Sequence, residues 1–172
     1  MKKLLVCLFA LCTLTFTSCN PDPEPINYAD DFVGEYVTSI SAAWVCASAG
    51  IAIEDDLIDG LLCKIEETYN NNVVLKMYQG STLVCYINGY CDQSGLFLKD
   101  FEFTYSIATY IQDLGDMTMS FDLELGGTKV NGNSDLSWTS PIVSGSTSAT
   151  VENVTVDMGS VVGSTTFSLT KI

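Results

Sequence analysis

From Phe97 to Ile107 and again from Met117 to Leu125 apolar and polar residues alternate nearly one by one, a period of two that commits these stretches to extended strand. Phe97, Lys99, Phe101, Phe103, Tyr105 and Ile107 share one face, with Leu98, Asp100, Glu102, Thr104 and Ser106 on the other. Met117, Met119, Phe121, Leu123 and Leu125 repeat the device against Thr118, Ser120, Asp122 and Glu124. A strand of this kind turns its apolar face to a core and its polar face to water. Further strands are predicted over 35–46, 61–69, 73–78, 83–90, 136–139, 149–158 and 165–171. Turn residues separate them at 70–72, 79–81, 88–89, 126–127, 131–133 and 159–163. Only Ser48 to Gly60 breaks the rhythm, and a helical turn is expected there. About eight to ten strands joined by short loops must hide their edges. The predicted fold is therefore all-β, an antiparallel up-and-down β-barrel, with a sandwich as the alternative.

The first residues follow a different logic. Lys2 and Lys3, the apolar run Leu4 to Phe16 and the small pair Thr17-Ser18 stand directly before Cys19. A basic start, a short apolar run and small residues at the cleavage point form a secretory signal. The run is shorter than the about 20 residues that span a bilayer, which argues against a transmembrane helix. A cysteine directly after the small pair marks a lipoprotein signal, so residues 1–18 are expected to be removed and Cys19 to carry acyl chains. Each acyl chain contributes about 0.8 kcal/mol per buried CH₂ to membrane attachment. Asn20-Pro21-Asp22-Pro23-Glu24-Pro25 then alternates proline with acid or amide. This favours an extended spacer, so residues 19–31 are expected to form a tether and 32–172 the folded domain.

Beyond the leader there are five lysines, no arginine, no histidine and all 21 acidic residues, a net charge of −16. That excludes nucleic acid as a partner, because phosphate contacts need clustered cations. It also leaves the acyl chains as the expected hold on the membrane, since anionic surfaces repel the domain. Without His there is no Ser-His or Cys-His nucleophile pair, and without Arg no bidentate anion clamp. Glu66 and Glu67 are adjacent and point to opposite faces of a strand, while Asp100 and Glu102 share a solvated face. The chain is not expected to be an enzyme. Glu54-Asp55-Asp56-Leu57-Ile58-Asp59-Gly60 misses the calcium-loop spacing because Leu57 takes a ligand place. No metal and no cofactor is expected.

Four cysteines remain: Cys46, Cys63, Cys85 and Cys91. In an oxidising compartment they suit disulfides. A three-residue Ile87-Asn88-Gly89 loop would set Cys85 opposite Cys91 on a hairpin, leaving Cys46 with Cys63, whereas a two-residue Asn-Gly turn would pair Cys85 with Asp92. The alternative is four buried free thiols.

The leader, the acidic proline tether, the opening Phe32-Val33-Gly34-Glu35-Tyr36 and the closing Phe167-Ser168-Leu169-Thr170-Lys171-Ile172 resemble the calycin-like (lipocalin-like) lipoproteins of the Bacteroidota. Gly34-Glu35-Tyr36 stands where lipocalins proper have Gly-x-Trp, and no ligand-binding motif residue is carried over. The resemblance implies a barrel over most of the chain from Phe32 onward. Acidic residues behind Cys19 resemble the signal that sends such lipoproteins to the outer face of the outer membrane.

In a barrel of this size the interior either fills with side chains or holds one small ligand. Trp44, Phe97, Phe101, Phe103, Tyr105 and Phe121, with Met119 and Met117, are the candidate lining for a small apolar ligand. Lys99 amid Phe97 and Phe101 is the odd member, because a buried lone charge needs a rim, a carboxylate or a ligand. The competing expectation is a solid barrel that acts as a structural or interaction module, contacting protein or glycan at the cell surface. An exposed aromatic row including Trp138 would mark glycan contact.

Overall fold

The computed structural model describes residues 26–111 and 115–172. Cys19, the leader and the proline tether up to Pro25 lie outside the described residues. The strands are β1 (Gly34–Cys46), β2 (Ile51–Tyr69), β3 (Asn72–Gln79), β4 (Thr82–Asp92), β5 (Gly95–Leu98), β6 (Phe101–Ile111), β7 (Gly115–Leu125), β8 (Asp135–Val151) and β9 (Val154–Lys171). They form one antiparallel sheet in the order β5-β4-β3-β2-β1-β9-β8-β7-β6. Two meanders are thus joined where the first strand meets the last, from Tyr36 beside Lys171 to Cys46 beside Val161. The fold is all-β, and the sheet curls as an up-and-down barrel.

Alternation decides which side faces in. Along β1, Tyr36, Thr38, Ile40, Ala42, Trp44 and Cys46 are all buried. Leu61, Cys63 and Ile65 of β2, Leu75 and Met77 of β3, and Phe167 and Leu169 of β9 continue the same wall. Hairpins are closed by backbones in the left-handed region: Asn70 and Asn71 at φ 48° and 61°, and Glu152 and Asn153 at φ 50° and 68°. Consecutive residues with positive φ match the right-handed twist of two-residue hairpins.

Several expectations are corrected. Ser48 to Gly60 holds no helical turn: from Ile51 onward it is strand, paired with β1 from Cys46 beside Ile51 to Ser41 beside Asp56. The pairing hides half of Ile51, Ile53, Leu57 and Ile58 and leaves Glu54, Asp55 and Asp56 exposed. Asn88-Gly89 is not a turn but the middle of β4. Gly89 is needed for close approach, since a Cβ there would stand 2.7 Å from the Phe97 carbonyl oxygen of β5. The expected strand 149–158 is instead a hairpin turning at Glu152-Asn153, and the glycines at 159 and 163 sit within β9.

The expected continuous strand from Phe97 breaks at Lys99-Asp100, between β5 and β6. Segment 126–131 runs alongside the break. Thr128 accepts from the Leu98 amide at 2.8 Å, Val130 donates to the Leu96 carbonyl at 2.9 Å, and Asn131 exchanges bonds with Ser137 of β8. This segment covers the outer edge of β5 and ties it back to β8.

Candidate functional site

Of the nine candidate lining residues, Trp44, Phe101, Phe103, Tyr105, Phe121 and Met119 share the interior, with Met117 half-buried against them. Trp44 packs against Phe121 at 5.0 Å between ring centroids, Tyr105 at 6.2 Å and Phe103 at 6.5 Å. Phe103 meets Phe167 at 6.0 Å and Phe101 meets it at 5.8 Å, both edge to face, a favoured arrangement for rings. Met119 is buried beside this cluster. The Trp44 indole N–H donates to the Thr165 hydroxyl at 3.0 Å, and the half-buried Tyr105 hydroxyl donates to the Leu57 carbonyl at 2.7 Å. The rings have one another for neighbours.

Phe97 and Lys99 are not among them. Leu96 and Leu98 are the buried residues of β5, so Phe97 faces outward and stacks on Tyr90 at 5.2 Å and 13°, with the Lys129 ammonium 5.7 Å from its ring centre. Lys99 is exposed in the break. The break explains both, since a single-residue slip exchanges the two faces of a strand. Phe101 points in although a regular strand would put it on the face of Phe97. Interior rings outside the candidate set include Phe167 and Trp138. Phe167 is fully buried, and Trp138, which an exposed sugar-binding row would have needed in water, is 2% exposed and stacked on Phe167 at 4.8 Å. The signal was present in the alternations Leu136/Trp138/Ser140 and Thr165/Phe167/Leu169.

The cysteines are four buried free thiols. Cys85 and Cys91 lie on one face of one strand, six residues apart, a separation of about 20 Å at 3.3 Å per residue. A disulfide needs Cα atoms within about 7 Å. Cys63 lies beside Met77, which in turn lies beside Cys85, so Cys63 and Cys85 are two strands apart. Cys46 bonds instead to the Met158 carbonyl at 3.0 Å. Burial pushes the thiols of Cys63 and Cys85 up to about 12 and that of Cys91 up to about 11. Such thiols stay protonated at neutral pH and are poor nucleophiles and poor metal ligands. No cluster of three metal-ligating side chains occurs among the described residues.

The space lies outside the aromatic core. One cleft of about 520 Å³ runs between β4 and β6, with Leu83, Tyr86 and Asn88 on one wall and Asp100, Glu102 and Thr104 on the other. A second, of about 600 Å³, continues over the outer face of β6 and β7 along Glu102, Thr104, Asp122, Glu124 and Ser144. Glu102 stands directly opposite Glu124 in the β6–β7 register. The two ion pairs among the described residues, Lys64–Glu35 and Lys76–Glu66 at 2.6 Å each, are elsewhere. This arrangement suits a cationic or hydrogen-bonding contact at the surface.

No protein-family model matches this chain, and no match was found among curated proteins or solved structures.

Proposed function

We propose that this chain is a lipid-anchored lipoprotein of the outer membrane with a calycin-like barrel, and that it works as a non-catalytic interaction module whose contacts are made on its outer surface. The leader ending at Cys19 and the proline-acid spacer support the anchor and exposure at the cell surface. One observation carries the choice of module over ligand carrier: Trp44, Phe101, Phe103, Phe121 and Phe167 fill the wall expected to line a pocket by packing on each other. Absence of His and Arg and the raised thiols support a role without bond-making chemistry.

The test uses the full chain with Cys19→Ala, which blocks acylation. Organic extracts of the purified protein are expected to hold no stoichiometric apolar molecule, and fatty acids, sterols and porphyrins to leave its melting temperature unchanged. A bound molecule, or a concentration-dependent rise in melting temperature, would overturn the reading, because a ligand that binds only the fold must stabilise it. Labelled palmitate is expected in the wild-type chain and not in the variant, and protease added to intact cells is expected to remove the domain.

A second reading, the apolar-ligand carrier, is favoured by half-buried Ile51, Ile53, Leu57, Ile107, Met117 and Met158, which register and contacts bring to the Trp44 end of the barrel. The same extraction decides between the two.

A further inference from the structure

We infer that the seam between β4 and β6 is a strand-addition site that takes an extended, lysine- or arginine-bearing segment of another protein. The inference rests on the surface-contact reading above and names the partner's chemistry. β6 lies at the end of the sheet order, with β7 on one side only. β4 has β5 as a second neighbour only over Gly89–Asp92. The last rung between the two sides is the Lys99 amide to the Asn88 carbonyl at 2.8 Å. Beyond it, no backbone hydrogen bond joins β4 to β6 among the described residues. Since the Asn88 carbonyl points at the seam, the period of two points the N–H and C=O of Tyr86 there too.

Unpaired strand edges are templates for another strand. The cleft of about 520 Å³ runs along these edges, with Leu83, Tyr86 and Asn88 facing Asp100, Glu102 and Thr104.

Charge selects the occupant. Glu102 and Glu124 face each other, an unfavourable cross-strand pair, with Asp122 opposite Thr104 one step on. Thr104 and Ser144 donate to Asp122 and Glu124, and the Gly127 amide donates to Asp100. Among the described residues, none of these carboxylates has a lysine within 4.0 Å. A second copy of the chain would bring the same carboxylates and a net charge of −14 against −14. The chain's own 20–25 segment is acidic and has proline at alternate positions, which cannot donate to a ladder. A proline-free basic strand satisfies both the edges and the carboxylates.

The probe is a synthetic peptide of about eight alternating lysines and valines, added to the full Cys19→Ala chain and read by amide exchange and titration. In the free protein the seam amides of Tyr86 and β6 are expected to exchange rapidly. With peptide they should become protected, with affinity weakening about tenfold on N-methylating alternate peptide amides and about tenfold in Glu102→Gln/Glu124→Gln. Seam amides already protected in the free protein, affinity indifferent to N-methylation, or no peptide binding would each overturn the inference. An oligosaccharide that shifts the same amides while the peptide does not would replace it with sugar contact and leave the surface module standing. An apolar molecule in the extracts overturns the module itself, so the two failures are distinct.

Discussion

Trp44→Phe tests whether the interior is a satisfied, close-packed core. Trp44 is 1% exposed, contacts three rings and donates to Thr165, itself fully buried. Phenylalanine keeps most of the ring packing, so the volume lost costs about 1 kcal/mol, a fraction of the 3–5 of a full truncation. The Thr165 hydroxyl is left in the core without its donor, which costs about 1–3 kcal/mol more. The sum is about 2–4 kcal/mol. Thr165→Val strands the indole N–H in the same way and is expected to cost about 1–3 kcal/mol. The double variant removes both partners, so its cost should fall short of additivity by about 1 kcal/mol or more. Trp138 supplies the control. Its indole N–H is buried with no partner, so Trp138→Phe deletes an unsatisfied donor and should cost about 1 kcal/mol or less. Guanidinium unfolding followed by the remaining tryptophan measures all four, with the m-value required to stay constant. Strict additivity, or Trp44→Phe costing no more than Trp138→Phe, would refute this account of the core.

Further outcomes follow from the same geometry. Cys63 and Cys85 ionise near 9.0 when unfolded but at about 12 in the fold, so their contribution is intact below pH 9 and is lost as pH rises toward 12. The loss is about 1.4 kcal/mol per pH unit per thiol, and Cys63→Ala/Cys85→Ala should flatten that alkaline limb in unfolding curves. Gly163→Ala should cost at least about 3 kcal/mol, because at φ 134° its Cβ would lie 2.0 Å from the Ala43 carbonyl oxygen. Gly60→Ala meets nothing within 4 Å and should cost only the about 1–2 kcal/mol of its φ of 77°. Equal melting temperatures for the two glycine variants would contradict the β1–β9 packing. Tyr36→Phe removes the 2.6 Å bond to the Phe32 carbonyl and should destabilise by about 1 kcal/mol, with faster amide exchange at Phe32 and Val33.

The alternations along 35–46, 97–107 and 117–125 were enough to read strands, an all-β meander and five of the aromatic core positions. Each depends on residues two apart in the chain, and that spacing is a local quantity. The errors cluster where contacts between distant segments decide. Nothing near Phe97 reveals that segment 126–131 will lie against β5 and force the break that sends Phe97 and Lys99 outward. Gly89 looks like a turn residue beside Asn88 until β5 is laid across it at 2.7 Å. Ile51 and Ile53 look irregular until β1 pairs with them.

By itself, then, the order of residues determined that this chain makes sheet and which alternating positions within a strand share a face. Tertiary structure alone decided that the rings meet, that the cysteines stay apart, and that the wall remains unzipped between β4 and β6. The physical reason is that side-chain parity is local, whereas register and closure depend on pairings such as Tyr36 with Lys171, made between the two ends of the domain.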